Sequence, residues 1–234
     1  MLFSFCLLLS SVHLFAQSDR DKDKPRIEGS GKLVTREVTI QSFDELTASG
    51  VFNIKLKQGS KEEVKIEADD NLQDFFIVTN EGSKLKIGMK KDVNFNSKNK
   101  MNVYITFKNL RSINLKIVGK LNSEGSLSFS DLKVDNKSVG SVDMSLTAAS
   151  LAIENKGVGS IKLSGKADNA VIKNNSVGSL KAGDLMVQTM DIENEGVGSA
   201  EVNAAKELKV KDSFLGKVRN VGSAPVKRMN KVRV

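Results

Sequence analysis

The sequence predicts an all-β protein whose C-terminal half is a parallel β-solenoid, a β-helix-like repeat array preceded by a hairpin-rich β region. Three observations favour this fold. Apolar and polar residues alternate along most segments, as they do in strands with one buried face. No window shows a sustained helical period. The tripeptide Val-Gly-Ser recurs at a nearly constant spacing in the second half of the chain.

The repeat has the length of one solenoid coil. Successive copies start 21, 19, 19, 20 and 18 residues apart, which gives coils of ~19–20 residues. This period is too short for a propeller blade or a helical pair. The Val-Gly-Ser copies and the degenerate copies at either end begin at Val118, Val139, Val158, Val177, Val197 and Leu215.

An asparagine recurs at the same place in each repeat. In the segment Leu151-Ala-Ile-Glu-Asn155, a period of two turns the first, third and fifth residues inward. The asparagines of successive coils are therefore expected to stack and to share hydrogen bonds at a buried corner. This structural asparagine stack comprises Asn136, Asn155, Asn174 and Asn194.

The region before the repeats contains shorter alternating runs. Two of them flank the turn Gln58-Gly59-Ser60, which predicts a hairpin between the strands on either side. A second turn, Asn80-Glu81-Gly82, precedes another alternating run. One short helical turn is expected within residues 70–76.

The first sixteen residues indicate export. Residues 2–9 are almost wholly apolar, and Ala16 offers a small residue for cleavage before Gln17. This run is shorter than the roughly 20 residues of a transmembrane helix. We expect a signal peptide (1–16), a flexible linker (17–32), the N-terminal β region (33–109) and the solenoid (110–234). The mature chain would have no transmembrane helix and would lie in the periplasm, at the outer-membrane surface or outside the cell. A true N-terminus upstream of Met1 stays open.

The composition contains few of the residue types that commonly catalyse reactions. Cys6 and His13 are the only cysteine and histidine, and both lie in the predicted signal peptide. The mature chain is thus expected to lack disulfides, thiolate metal sites and histidine-based triads, and we predict no cofactor and no metal. A polysaccharide lyase or hydrolase would need paired carboxylates or a calcium cluster. The adjacent pair Asp69-Asp70 fits a solvated turn better, so we expect no enzyme.

The chain is basic, with a formal net charge of +8. Such a balance favours polyanionic neighbours. Between residues 84 and 100, six lysines face a single acid, Asp92. We interpret them as a candidate anion-binding surface for acidic glycans or an anionic envelope surface, with a solvated loop as the alternative. Nucleic acid is not expected, because interleaved aromatic residues are absent. The six are Lys84, Lys86, Lys90, Lys91, Lys98 and Lys100.

One segment carries a family resemblance. Phe43-Asp-Glu-Leu-Thr-Ala-Ser-Gly-Val-Phe-Asn-Ile-Lys-Leu-Lys-Gln-Gly59, together with Val64-Lys-Ile-Glu-Ala-Asp-Asp-Asn-Leu72 and the Val-Gly-Ser coils, resembles the DUF2807 family. That family is described as the "putative auto-transporter adhesin head GIN domain" and is common in Bacteroidetes. The resemblance covers the chain from about residue 36 to the C-terminus. It implies an envelope or surface protein with a β-solenoid-like fold and no established catalytic residues.

Three functions stay open in order of preference. The first is an exported, adhesin-like binding module of the cell envelope. The second is a structural protein that self-assembles through exposed solenoid edges, and the third is a lyase-like enzyme. The sequence leaves the ligand, the oligomeric state and the choice between periplasm and surface undecided.

Overall fold

The computed structural model describes residues 24–213 and 215–229. The predicted signal peptide and the first residues of the predicted linker lie outside these ranges. Strands make up 70% of the chain and helix 3%, which confirms the all-β prediction. A 3-10 helix at Asp70–Phe75 matches the expected helical turn, and no helix among the described residues has the length and apolarity to cross a bilayer.

The strands of the described residues fall into two groups. The N-terminal group is β1 Arg26–Glu28, β2 Leu33–Val38, β3 Glu45–Val51, β4 Asn53–Gln58, β5 Glu63–Asp69, β6 Phe76–Glu81, β7 Lys84–Met89, β8 Asn94–Asn96 and β9 Asn102–Phe107. The coil-forming group is β10 Ser112–Asn136, β11 Val139–Asn155, β12 Ile161–Asn174, β13 Leu180–Asn194, β14 Ala200–Asp212, β15 Val218–Asn220 and β16 Val226–Arg228.

The coil-forming strands build a parallel β-solenoid of about six turns. The long strands β10 to β14 pair in parallel in sequence order. The pairing aligns the repeats as the sequence predicts. Asn155 lies opposite Asn174, and isolated parallel bridges join Val139 to Val158 and Val158 to Val177. The period of the Val-Gly-Ser tripeptide is therefore the length of one coil.

A glycine is needed at the corner after each of these valines. Gly159 has a φ of 127°, in the left-handed region that disfavours side chains. A Cβ at Gly159 would also overlap the carbonyl oxygen of Gly140, one coil earlier. The missing side chain lets this corner approach the preceding one closely enough for the backbone N–H of Gly140 to donate to Val158 O at 2.8 Å.

Alternation along the strands separates the core from the surface. Ile153, Ile172 and Ile192 are stacked in register and are at most 3% exposed. Their neighbours point outward, so that Glu154 lies opposite Lys173 on the surface. Because side chains alternate with a period of two, the coils bury a mainly apolar set and expose a mainly polar set.

The N-terminal group continues the coil stack. β3 and β4 both pair in parallel with β10, and β3 also pairs in parallel with β7. At the far side, β5 runs antiparallel to both β9 and β2, so antiparallel strands cover this end of the solenoid. The predicted boundary at residue 109 is therefore not a break in the sheet.

The expected hairpin between β4 and β5 is wrong. β9 lies between them, parallel to β4 and antiparallel to β5. The turn at Gly59 does not fold β5 back onto β4, because its backbone N–H donates to Phe107 O at the end of β9. The second expected turn does form a hairpin, in which Phe76 of β6 lies opposite Met89 of β7.

The described part of the predicted linker is anchored to the body. β1 pairs in parallel with β8, with Arg26 opposite Asn94. The Ser30 Oγ donates to Asp70 Oδ1 at 2.6 Å. Residues 26–30 thus belong to the folded unit, and they bring Arg26 close to the lysine-rich segment.

Candidate functional site

The alternation of side chains along β7 determines where Lys84 and Lys86, the first two of the six predicted lysines, point. In β7, Leu85 and Ile87 are buried in the core, so Lys84 and Lys86 face outward. Lys90 and Lys91 follow the end of β7, whereas Lys98 and Lys100 lie in the loop that leads into β9. The structure therefore distributes the six residues over three places.

Lys90 and Lys91 line a cleft of about 620 Å³. Arg26 from β1 provides a third cation in its lining. The remainder of the lining is largely apolar, and its apolar residues are Val51, Met89, Val93 and Phe95. The cleft thus combines positive charge with an apolar surface.

A groove of about 540 Å³ continues from this cleft. Ser49 and Lys91 line both cavities, so the two form one depression. Lys84, Lys116 and Lys137 supply the other cations of the groove. We call the whole depression the cationic groove, defined by Arg26, Lys84, Lys90, Lys91, Lys116 and Lys137.

The stacking of coils brings Lys116 and Lys137 together. The backbone N–H of Lys137 donates to Leu115 O at 2.8 Å, which places the two segments side by side in successive turns. Both lysines are exposed and face the same side of the sheet. The groove is therefore assembled from β7, β3 and the first two turns of the solenoid.

Several groove cations have partners. Lys84 Nζ lies 3.2 Å from Glu45 Oε2, and Lys137 Nζ lies 2.9 Å from Asp135 Oδ2. Lys90 Nζ lies 5.2 Å from the centroid of the Phe75 ring, within the range of a cation–π contact.

Three groove cations have no acidic partner among the described residues. Lys90, Lys91 and Lys116 form no ion pair there, and Lys90 contacts only the Phe75 ring. Asp135 is the one carboxylate lining the 540 Å³ groove within the described ranges, and it already pairs with Lys137. The depression therefore keeps uncompensated positive charge.

Glu45 shares its charge between two cations beside the groove. Its other carboxylate oxygen accepts a 2.5 Å hydrogen bond from the Arg111 guanidinium, which also donates to Asp44 at 2.9 Å. The hydrogen bond from Arg111 holds the pKa of Asp44 below its usual value. This acidic pair anchors Arg111 at the edge of β3 and leaves Lys84 only partly neutralised.

The other predicted lysines lie outside the groove. Lys86 Nζ pairs with Glu81 Oε2 at 2.5 Å, across the β6–β7 hairpin. Lys98 and Lys100 line neither the cleft nor the groove. The sequence grouped them with Lys91 because they are close in the chain, but the turn around β8 separates them in space.

Asp69 fixes the loop that carries Lys98. Its carboxylate has no exposed surface and accepts bonds from Asn99 Nδ2 at 2.5 Å, Ser97 Oγ at 3.1 Å and the Lys98 backbone N–H at 3.3 Å. Burial alone would raise the pKa of Asp69, but these hydrogen bonds hold it below its usual value. The expected solvated turn is therefore wrong at Asp69, which is a buried anchor.

Carboxylates do not form clusters of three in the part of the chain that the structure describes. Asp70, the neighbour of Asp69, accepts from Ser30 and lies 3.5 Å from Lys32 Nζ. Within residues 24–213 and 215–229, no three acidic, histidine or cysteine side chains are placed to hold one metal ion.

The four repeat asparagines lie in one buried row. Asn136 Nδ2 donates to Asn155 Oδ1 at 2.8 Å, Asn155 to Asn174 at 2.7 Å, and Asn174 to Asn194 at 2.6 Å. The last amide donates to the carbonyl of Gly216 at 2.5 Å. The row supports the corners of the coils, and none of its four members lines the groove.

Arg26, Lys116 and Lys137 were not predicted from the sequence as groove residues. For Lys116 and Lys137 a signal was present, because they are 21 residues apart, as are the repeat positions Val118 and Val139. An alignment of the coils would have paired them. No comparable signal exists for Arg26, whose place depends on the pairing of β1 with β8.

Comparison with known proteins agrees with this architecture. Residues 42–224 match the model of the DUF2807 family, described as "Putative auto-transporter adhesin, head GIN domain". A putative adhesin from Bacteroides fragilis is 29% identical, with a TM-score of 0.75, and the match covers 87% of this chain and 100% of that chain. No curated protein matches the chain.

Two further solved structures share the fold. A putative lipid binding protein from Parabacteroides distasonis is 18% identical with a TM-score of 0.61, covering 88% of this chain and all of the other. A putative adhesin from Parabacteroides merdae is 21% identical with a TM-score of 0.57, with the same coverage. At these identities the likeness concerns the fold alone.

Proposed function

Because the chain belongs to the DUF2807 family of adhesin head domains, we propose that it is an exported, non-catalytic module that binds anionic components of the cell envelope in its cationic groove. The observation that carries this proposal is the convergence of Lys84, Lys91, Lys116 and Lys137, from segments far apart in the chain, on one depression. The name of the Bacteroides fragilis structure, a putative adhesin, supports a binding role.

The groove suits electrostatic capture. Lys84 and Lys116 lie in strands of the sheet, and the backbone N–H groups of Lys90 and Lys137 donate to Phe75 O and Leu115 O, so these backbone positions are held by hydrogen bonds within the protein. Charges of one sign that line a depression focus the field and raise the local concentration of an oppositely charged partner. Lys91 and Lys116 keep their full charge for that partner, since no described acid neutralises them.

The same lining supports binding without turnover. The groove offers lysines, an arginine, serines and asparagines, and its carboxylate Asp135 is held by Lys137. Two carboxylates facing each other across a bond, as a glycosidase requires, are not part of this lining. An anionic polymer or surface would therefore be held and released unchanged.

The test is binding of dextran sulfate compared with neutral dextran, at low and at physiological salt. We expect binding of dextran sulfate only, weakening as salt shortens the Debye length to about 8 Å. The double variant Lys91→Ser/Lys116→Ser should bind about thirtyfold more weakly at low salt, since each charge contributes roughly 1 kcal/mol at 4 Å in water.

The matched control is Lys98→Ser/Lys100→Ser, which removes the same charge outside the groove. This variant should bind nearly as well as the parent. If both double variants lose affinity equally, the protein binds through its net charge and the groove has no special role. If neither loses affinity, the proposal is wrong.

A further inference from the structure

An exposed aliphatic ridge runs along one corner of the solenoid. Val118 lies opposite both Val51 and Val139, and parallel bridges continue this row through Val158, Val177 and Val197. The backbone N–H of Gly198 donates to Leu215 O, as the N–H of Gly178 donates to Val197 O one coil earlier. Leu215 is therefore the next member of the row. Each side chain is 50–63% exposed. We call this row the valine ridge: Val51, Val118, Val139, Val158, Val177, Val197 and Leu215.

The core does not require these side chains to be apolar. Their inward neighbours, such as Ser138 and Ser176, are buried, while the ridge residues point to solvent. A single exposed valine needs no explanation, but a contiguous apolar row marks an interaction surface. With about 4.8 Å between coils, the six steps of the ridge span roughly 29 Å in a straight line.

Cations flank the N-terminal half of the ridge. Lys116, Lys137 and Lys156 come two residues before Val118, Val139 and Val158, so each points outward beside its valine. Lys156 pairs with Glu154 at 2.5 Å, and Lys116 has no ion pair with the described residues. This flank includes two members of the cationic groove.

The ridge also enters the cleft. Val51, its first member, lines the 620 Å³ cleft together with Arg26, Lys90 and Lys91. Met89, Val93 and Phe95 extend the apolar surface there. The charged and apolar parts therefore form one continuous amphipathic edge.

We propose that this edge docks on a lipid bilayer that contains anionic headgroups. The valine ridge would lie at the boundary between headgroups and acyl chains, and the flanking lysines would contact lipid phosphates. Surface-bound segments combine apolar area with cationic flanks in this way. The inference rests on the proposed function and names the partner of the same groove.

The shape of the ridge favours a bilayer over a second copy of the chain. A stripe about 10 Å wide, three strand residues, and roughly 29 Å long offers about 300 Å². A standard protein interface needs about 800 Å² from each partner. A fluid layer, by contrast, can adapt its surface to a narrow row of exposed side chains.

The charges and the apolar row together favour lipid over an acidic polysaccharide. A polyanion would use the lysines of the groove, but its sulfates or carboxylates would gain nothing from Val139, Val158 or Val177. Anionic lipid satisfies both components. The two components can therefore be separated by experiment.

The experiment measures co-sedimentation with phosphatidylcholine vesicles and with vesicles of equal parts phosphatidylcholine and phosphatidylglycerol. The ridge variant is Val139→Ser/Val158→Ser/Val177→Ser. The control is Ile77→Ser/Val171→Ser/Met186→Ser, which removes exposed apolar side chains that are not in the ridge. We expect the parent to bind the anionic vesicles, the ridge variant to bind them at least about tenfold more weakly, and the control to stay within about twofold.

Dextran sulfate binding separates this inference from the proposed function. Loss of vesicle binding by a folded ridge variant that still binds dextran sulfate supports the bilayer as partner. Equal vesicle binding by ridge variant and parent overturns the inference and leaves the groove intact. A parent that binds neither probe overturns the proposed function itself. A parent dimer that the ridge variant dissociates would make the ridge a subunit interface and overturn the inference.

Discussion

The side-chain amide of Asn155 donates a 2.7 Å hydrogen bond to the Oδ1 of Asn174, nineteen residues later in the chain. The Oδ1 of Asn155 in turn accepts from Asn136 and from the backbone N–H of Gly157 at 3.3 Å. Asn155 thus links its coil to the coils on both sides and also holds its own corner. A buried amide with this many partners contributes to stability chiefly because its loss leaves the partners unpaired.

Replacement of Asn155 by leucine should destabilise the solenoid. Asn136 Nδ2 would lose its acceptor in a buried site, and we expect the free energy of unfolding to fall by about 1–3 kcal/mol. Urea denaturation measures the change. Lys162→Ala, at an exposed position of the next coil, should stay within about 0.5 kcal/mol of the parent. Equal losses in the two variants would contradict a stabilising role for the amide row.

Gly159→Ala should lower the free energy of unfolding by more than an ordinary glycine-to-alanine substitution does. Its Cβ would overlap the carbonyl of Gly140, and its φ of 127° is itself strained for alanine. Overpacking and backbone strain each cost about 1–3 kcal/mol, so we expect a loss of at least roughly 2 kcal/mol. Gly125→Ala is the control, since its φ is 81° but its Cβ would meet open space. Thermal unfolding of both variants should separate the backbone strain, which both have, from the overlap with Gly140, which only Gly159→Ala has. Equal shifts in melting temperature would show that the close approach of Gly159 to Gly140 is unimportant.

A low pH should reduce the contribution of Asp69 to the free energy of unfolding. Because the folded-state pKa of its carboxyl lies below the usual 3.8, the ionised form contributes stability at neutral pH. That contribution is lost as the pH falls from about 4 towards the folded-state pKa. Asp69→Asn should therefore be less stable than the parent at pH 7, and the difference in unfolding free energy should narrow below pH 4. A difference that does not change with pH would show that ionisation of Asp69 is not involved.

Removal of Glu45 should strengthen anion binding. Lys84 would lose its 3.2 Å acidic partner and present its full charge to the groove. For Glu45→Gln we expect dextran sulfate to bind about two- to fivefold more tightly. Glu37→Gln removes an equal charge beside Lys65, on a strand that contributes nothing to the groove lining, and should have little effect. Isothermal titration calorimetry with dextran sulfate at low salt measures the affinity of both variants. An identical gain in affinity for Glu45→Gln and Glu37→Gln would show that only the net charge matters.

Much of the fold could be predicted because its cause is local. The Val-Gly-Ser spacing gives the coil period, and alternation around Ile153 or Ile172 gives the inward face. The place of β9 between β4 and β5 could not be predicted in this way. It depends on pairing between segments some fifty residues apart, such as Asn53 with Asn102, for which alternation carries no signal.

The candidate site was predicted only in part, for a related reason. Lys84, Lys90 and Lys91 were found because they are dense along the chain, but a groove is a property of neighbours in space. Lys116 joins them through the pairing of β10 with β3, and Arg26 through a three-residue strand. The valine ridge was missed because Val139 is apolar, although a strict alternation continued from Asn136 places it outside.

The uniform register of the coils has an evolutionary consequence. Removal of the 19 residues 156–174 would join Asn155 to Asn175 and leave Asn194 to stack on Asn155, with every inward residue still inside. Insertion of one coil would be equally conservative, whereas a change of half a period would turn the core outward. Duplication or loss of whole coils can therefore adjust the length of the rod in steps of about 4.8 Å. Such changes would set the length of the molecule. They would leave the cationic groove unchanged, because it is built from the first turns.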